Sequence, residues 1–293
     1  MSADPRWDVA GRDWPNRAHS RFVDTARLRW HVQLFGPEEA PVLLLLHGTG
    51  AATHSWRGLA PLLATRFRVV APDLPGHGFT RGRPAGGLAM HAMARAVRDL
   101  MAALNLDPAI LVGHSAGAAI AIRMALDATP RAIVGLDAAL LPFPGLGALL
   151  FPSLARLLFV NPFAPHIFAR MARIPGETGR FLARSTGSRI DAEGVACYER
   201  LFATPGHCAG AMAMMADWDL AALARDLPRL AAPLLLLHGD ADAAIPLSNA
   251  REAAAMVTDA RVVVMTGRGH LAHEEAPDEV AALITPFARG HGG

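Results

Sequence analysis

Residues 113–117, Gly113-His114-Ser115-Ala116-Gly117, set one serine between two glycines where an apolar run gives way to helical spacing. The pattern is G-x-S-x-G, and a strand before it with a helix after it is the setting a serine nucleophile requires. A sharp strand-to-helix turn lifts the hydroxyl clear of the sheet. Side chains two residues to either side would collide, so glycine is expected at both positions. The same turn aims the Ala116 N–H and the positive end of the helix at the place where an oxyanion would form.

A serine nucleophile needs a base, and the base needs a carboxylate to fix its tautomer. The stretch "HGDADAAIP" (238–246) follows another apolar run and offers Asp240 and Asp242. Asp240 stands nearer the strand end, where turn backbone is its expected partner, so Asp242 is taken as the acid. The stretch "GRGHLAHEEAP" (267–277) offers His270 and His273. His270 lies in a glycine-rich loop and is taken as the base. His273 opens the acidic start of the last helix, where a capping role is expected. "HGTG" (47–50) follows "VLLLL", and its glycines let backbone approach a substrate. The expected set is therefore Ser115, His270 and Asp242 as catalytic groups, with the N–H groups of Thr49 and Ala116 as oxyanion donors. Asp137, at the end of a further strand, is a reserve acid. Asp73 and His77 in "PDLPGHGFT" (72–80) are read as holding their loop. No metal site and no cofactor is expected, and the substrate-binding residues are left open.

Elements that could position these groups alternate along the chain. Strands are expected at 21–36 (two of them), 41–48, 66–73, 109–115, 131–139, 232–240 and 260–267. The continuous apolar runs among them suit strands buried on both faces. Between them, 90–105 carries Met90, Met93, Val97, Leu100, Met101 and Leu104 on one helical face. Strands alternating with helices predict a mostly parallel sheet covered on both faces. From about 140 to 222 the rhythm breaks into Pro- and Arg-rich, helix-like pieces. The expected organisation is a core at 1–139, a helical cap at 140–222 and the rest of the core at 223–293.

Composition narrows the function classes. The chain has 293 residues and a net charge of +2, with no lysine, so all 28 basic residues are arginines. A Schiff-base lysine is excluded, and so is a P-loop, whose motif needs lysine. Neither end carries a basic block, which argues against nucleic acid as a partner. Cys197 and Cys208 fit neither a metal spacing nor a disulfide framework. The first twenty residues hold no apolar core segment, so no signal peptide is expected. Residues 138–155 run for 18 residues without a charge but contain three prolines. A buried or pocket-lining segment, or peripheral contact with a membrane, is expected there rather than a span.

In order along the chain, "HGTG", "DLPGHG", "GHSAG", "GDADAAIP" and "GHLAHEEAP" resemble the α/β-hydrolase superfamily over about residues 20–290. The resemblance implies an eight-stranded, mainly parallel sheet whose second strand is antiparallel, with a lid after the sixth strand. Serine at the elbow departs from the aspartate of the dehalogenase and epoxide-hydrolase pattern. "GRDWPNRAHSRFV" (11–23), "LRWHVQ" (28–33) and "LLLLHGTGAATHSWRGLAPLLA" (43–64) also resemble the accessory proteins of magnesium chelatase in bacteriochlorophyll synthesis. That likeness implies a cytoplasmic protein, peripheral at most, with a small-molecule substrate or a tetrapyrrole intermediate and magnesium chelatase subunits as partners. Three functions follow: an ester-type serine hydrolase serving magnesium insertion, a tetrapyrrole-binding carrier without catalysis, or a carboxylesterase unrelated to pigment. Arg156, Arg170, Arg173, Arg180, Arg184, Arg189 and Arg200 of the cap could face propionates. As the outer face of a lid, they would instead face water.

Overall fold

A computed structural model describes residues 4–142 and 161–290. Among the described residues nine strands form one sheet: β1 Ser20–Asp24, β2 Leu28–Phe35, β3 Val42–Leu46, β4 Arg68–Pro72, β5 Arg81–Gly82, β6 Ile110–His114, β7 Ala132–Leu136, β8 Leu234–Gly239 and β9 Ala260–Met265. Their order is β1-β2-β4-β3-β6-β7-β8-β9, with the two-residue β5 paired to β2. β2 runs antiparallel to both β1 and β4, and every pairing from β4 to β9 is parallel. Sequence periodicity missed β5, because two residues cannot display a repeat.

Leucine-rich strands sit at the centre because both faces are covered. In β3, Leu43 and Leu45 face one core cluster and Leu44 and Leu46 the other. The same alternation holds in β8, where Leu235 and Leu237 oppose Leu234 and Leu236. A strand buried on both faces gains nothing from polar alternation, so it reads as a continuous apolar run.

Two single-turn helices come early, α1 Trp7–Ala10 and α2 Leu59–Leu63, followed by α3 Met90–Ala103 and α4 Ala116–Ala125. α3 buries Met90, Met93, Val97, Leu100 and Met101 against one sheet face, as its spacing predicts, and Leu104 packs at its edge. Between β7 and β8 the described residues form α5 Ala164–Met171, α6 Glu177–Thr186, α7 Ala192–Phe202, α8 Pro205–Ala216 and α9 Leu220–Asp226. Of the apolar stretch 138–155, residues 143–155 lie outside the described residues, as do Arg156, Phe151 and Phe159. The chain then continues through α10 Leu247–Ala255, α11 Ala272–Glu275 and α12 Pro277–Gly290. Among the described residues no helix is long and apolar enough to cross a membrane.

The N-terminal "GRDWPNR" segment has a physical role in this frame. Trp14 is buried with Phe79 of the core and with Cys197 and Leu201 of α7. Its indole N–H donates to Thr53 Oγ1 at 2.9 Å, and Arg200 of α7 donates to the Asp13 carbonyl at 3.3 Å. The segment thus ties α7 to the core. Cys197 and Cys208 are buried, and burial pushes both thiols up to about 12.

Candidate active site

Ser115 joins β6 to α4 with φ +50° and ψ −116°, a backbone state rare for any residue with a side chain. The two flanking glycines are required by close approach rather than by their own dihedrals. A Cβ on Gly113 would lie 2.4 Å from the Ala118 nitrogen, and one on Gly117 would lie 2.0 Å from the Leu46 carbonyl oxygen. The strained turn is therefore held by packing against α4 and the end of β3.

The structure places Asp242 and His270 in direct contact, Nδ1 to Oδ2, at 2.8 Å. The other carboxylate oxygen of Asp242 accepts the Ala244 and Ile245 N–H groups at 2.7 and 2.9 Å. A carboxylate held in this way offers only acceptors, so His270 must donate from Nδ1 and keep Nε2 bare. Asp240 is turned elsewhere: it is exposed and accepts the Gly267 N–H at 2.6 Å. Ser115, His270, Thr49 and Ala116 line one cavity of about 340 Å³. Ala116 opens α4, so its N–H has no intrahelical acceptor. The Thr49 N–H has no acceptor among the described residues. The Ser115 hydroxyl likewise makes no hydrogen bond among the described residues, and it shares the cavity wall with His270.

Several supporting residues carry no motif. His114, between the elbow glycine and the serine, donates from Nε2 to the His270 carbonyl at 2.8 Å. The Thr186 carbonyl at the end of α6 accepts the N–H groups of His270 (2.8 Å) and Ala243 (3.3 Å), tying down the loops of base and acid together. Ser188 accepts the Leu271 N–H at 2.8 Å and donates to Glu275 at 3.2 Å. His207 of α8 accepts the Gly78 N–H and donates to the Gly50 carbonyl at 2.9 Å, gripping the loop that carries Thr49. These partners lie far apart in the chain, and hydroxyls and carbonyls leave no periodic signature.

Other expectations resolve differently. His273 does not cap a helix: it is fully buried beneath the site, packed on Trp56 and His114, and burial pulls it down to about 3. The acidic start of α12 that suggested a cap begins after it, at Asp278 and Glu279. Asp137 is fully buried with φ +45° and accepts the Gly239 N–H at 2.8 Å. It faces His238, not His270, at 3.9 Å, and burial holds its carboxyl well above the usual range. Asp137, His238 and Asp242 offer ligand atoms within 4.8 Å of one another, but both Asp242 oxygens are already engaged. Asp73 is a loop hub. Burial alone would raise it, but His31 at 2.8 Å and the N–H groups of Thr53 and Phe79 hold it well below the carboxylate range.

Over Ser115 the cavity wall comes from α6, α7, α8 and α9 through Phe181, Leu182, Phe202, Met215 and Leu220, and from Trp218 between the last two helices. Arg170, Arg173, Arg180, Arg184 and Arg189 are exposed and Arg200 is half-buried, and none of them lines this cavity.

A profile of the alpha/beta hydrolase family matches residues 43–283. The chain is 40% identical over 287 residues to the magnesium-chelatase 30 kDa subunit of Rhodobacter capsulatus, covering 98% of this chain and all of that protein. It is 29% identical to a pimeloyl-[acyl-carrier protein] methyl ester esterase of Aromatoleum aromaticum, over 85% of this chain and 99% of the esterase. Among solved structures it is similar to a membrane phospholipase A, with a TM-score of 0.76 and 26% identity, over 94% of this chain and 86% of that one.

Proposed function

The chain belongs to the α/β-hydrolase family, and from that premise we propose that it is a serine ester hydrolase acting as an accessory factor in magnesium insertion during bacteriochlorophyll synthesis. The observation that carries the hydrolase reading is the Asp242–His270 contact at 2.8 Å beside a cavity that Ser115 and His270 share. In this reading His270 Nε2 takes the proton of the Ser115 hydroxyl as Oγ bonds to an ester carbonyl carbon. The N–H groups of Thr49 and Ala116 hold the resulting oxyanion. His270 then returns the proton to the departing alcohol oxygen, leaving an acyl-serine. Water attacks that carbonyl, gives its proton to His270 and releases the acid and the free serine. Asp242 stays ionised throughout and orients the imidazole. In this reading residues 140–222 are the cap, and its described residues from Phe181 to Leu220 shape the cavity.

The accessory role rests on similarity over the full length of the Rhodobacter capsulatus subunit. The same similarity supports a second reading, a tetrapyrrole carrier that assists magnesium chelatase subunits without catalysis. Replacing Ser115 separates the two. With a hydrolase, Ser115→Ala abolishes turnover of p-nitrophenyl esters and blocks pigment synthesis in the host. Normal pigment in the Ser115→Ala host would overturn the catalytic reading in favour of the carrier.

A further inference from the structure

Several of the polar side chains that line the cavity beside Ser115 keep their polar atoms for the protein. Ser185 donates to the Phe181 carbonyl at 2.8 Å and Thr186 to the Leu182 carbonyl at 2.6 Å, each bonding back into its own helix. The Tyr198 hydroxyl is spent on Glu274 at 2.8 Å, and the Thr49 hydroxyl turns to the Met214 sulfur at 3.6 Å. The Trp218 indole N–H and His114 Nδ1 are buried from solvent and have no hydrogen-bond partner among the described residues. No arginine, aspartate or glutamate lines the cavity among the described residues. What remains for a ligand is carbon surface, together with the Ser115 hydroxyl, the free face of His270 and the oxyanion donors.

Such a wall strongly selects against charge. Away from the oxyanion donors, a carboxylate entering it would lose its water and meet no cation in exchange. An alkyl or flat apolar group loses nothing by the same transfer and gains about 25 cal/mol for each Å² it buries. The volume of about 340 Å³ holds roughly eleven water-sized groups at about 30 Å³ each, which suits a medium-sized apolar moiety.

Resting on the serine-hydrolase reading, we infer that the substrate is a charge-neutral ester whose apolar moiety fills this cavity, and that free carboxylates, including the propionates of an unesterified macrocycle, are excluded from it. The described cap arginines, Arg170 to Arg200, have no part in recognition within the cavity. If a tetrapyrrole is the natural ligand, it enters with an esterified or carbon-only edge. An ester of this class must be supplied by an esterifying transferase acting on a carboxylic acid.

The test uses p-nitrophenyl acetate, butyrate, hexanoate and hemisuccinate with the full chain. Each buried methylene is worth about four-fold, so kcat/KM should rise about ten-fold or more from acetate to hexanoate. Hemisuccinate should fall about ten-fold or more below butyrate. Phe181→Arg places a guanidinium in the wall and should narrow the hemisuccinate deficit about five-fold. A flat chain-length series, or hemisuccinate equal to butyrate, overturns the inference. Fluorophosphonate labelling of Ser115 in the same samples reports separately on the nucleophile. A second measurement needs no turnover: calorimetric titration of Ser115→Ala with methyl octanoate and with monomethyl suberate at pH 8, where the distal acid is ionised. Methyl octanoate should bind about ten-fold tighter or better. Equal binding, or binding of neither, overturns the inference even if the chain hydrolyses nothing.

Discussion

At Ser115 the backbone is strained and the glycines around it allow the strain to persist. A methyl group at Gly117 would sit 2.0 Å from the Leu46 carbonyl, a backbone atom that cannot swing aside. Gly117→Ala should therefore cost about 2–3 kcal/mol and lower Tm by about 5 °C or more, read by thermal unfolding. An unchanged Tm would mean that the elbow is looser than its contacts imply. At Asp242 the expected effect is on chemistry. Asp242→Asn presents an amide to His270 Nδ1 and favours the wrong tautomer, so kcat for p-nitrophenyl hexanoate should fall about 10³–10⁴-fold with little change in KM. Retention of more than a tenth of kcat would leave Asp242 a structural residue only.

At the scale of elements, α6 and α7 hold the site together as much as the strands do. Thr186 and Ser188 fasten the His270 loop, while Arg57 bridges Glu274 of α11 and Asp191 at the start of α7. The Glu274 side chain is fully buried and accepts from Tyr198 of α7. Burial pushes its carboxyl up to about 7, against the pull of Arg57 and Tyr198. Removing the guanidinium strands a buried acid, so Arg57→Ala should lose about 3–5 kcal/mol. Adding Glu274→Gln should restore part of that loss. Denaturant unfolding of the single and double variants checks both. A loss under about 1 kcal/mol would show that the bridge does not couple α7 to α11.

Across the whole molecule, buried neutral histidines set the response to acid. Burial lowers His47, His54, His77, His114, His207, His238 and His273, with His207 brought to about 4. Each binds its proton more readily when unfolded, so its contribution is complete above about pH 6.5 and is lost as pH falls through its folded value. Every such group adds up to about 1.4 kcal/mol per pH unit within its window. Asp137 and Glu274, both raised, act in the opposite sense, but two groups oppose seven. Stability should fall steeply from about pH 6.5 to pH 4, as Tm measured against pH would show. A Tm that is level over that range would mean these rings are protonated, or reached by water, in the folded state.

The sequence by itself determined the parallel sheet, the elbow and the family, because strand burial and glycine at a close approach leave local marks. The runs "VLLLL" and "LLLLHG" read as central strands, and the Ser115 setting followed from five adjacent residues. The sequence also narrowed acid and base to Asp240 or Asp242, with Asp137 in reserve, and to His270 or His273, with each neighbouring pair separated by no more than three positions. Only the tertiary structure put Asp242 against His270 and His273 beneath them, since which of two neighbouring side chains points inward depends on loop packing. It alone decided that the described cap arginines stand outside the cavity, and that Thr186, Ser188 and His114 hold the histidine loop. The pairs involved lie 83–156 residues apart. Hydrogen bonds of that span are made by the fold, and no local pattern of residue types encodes them.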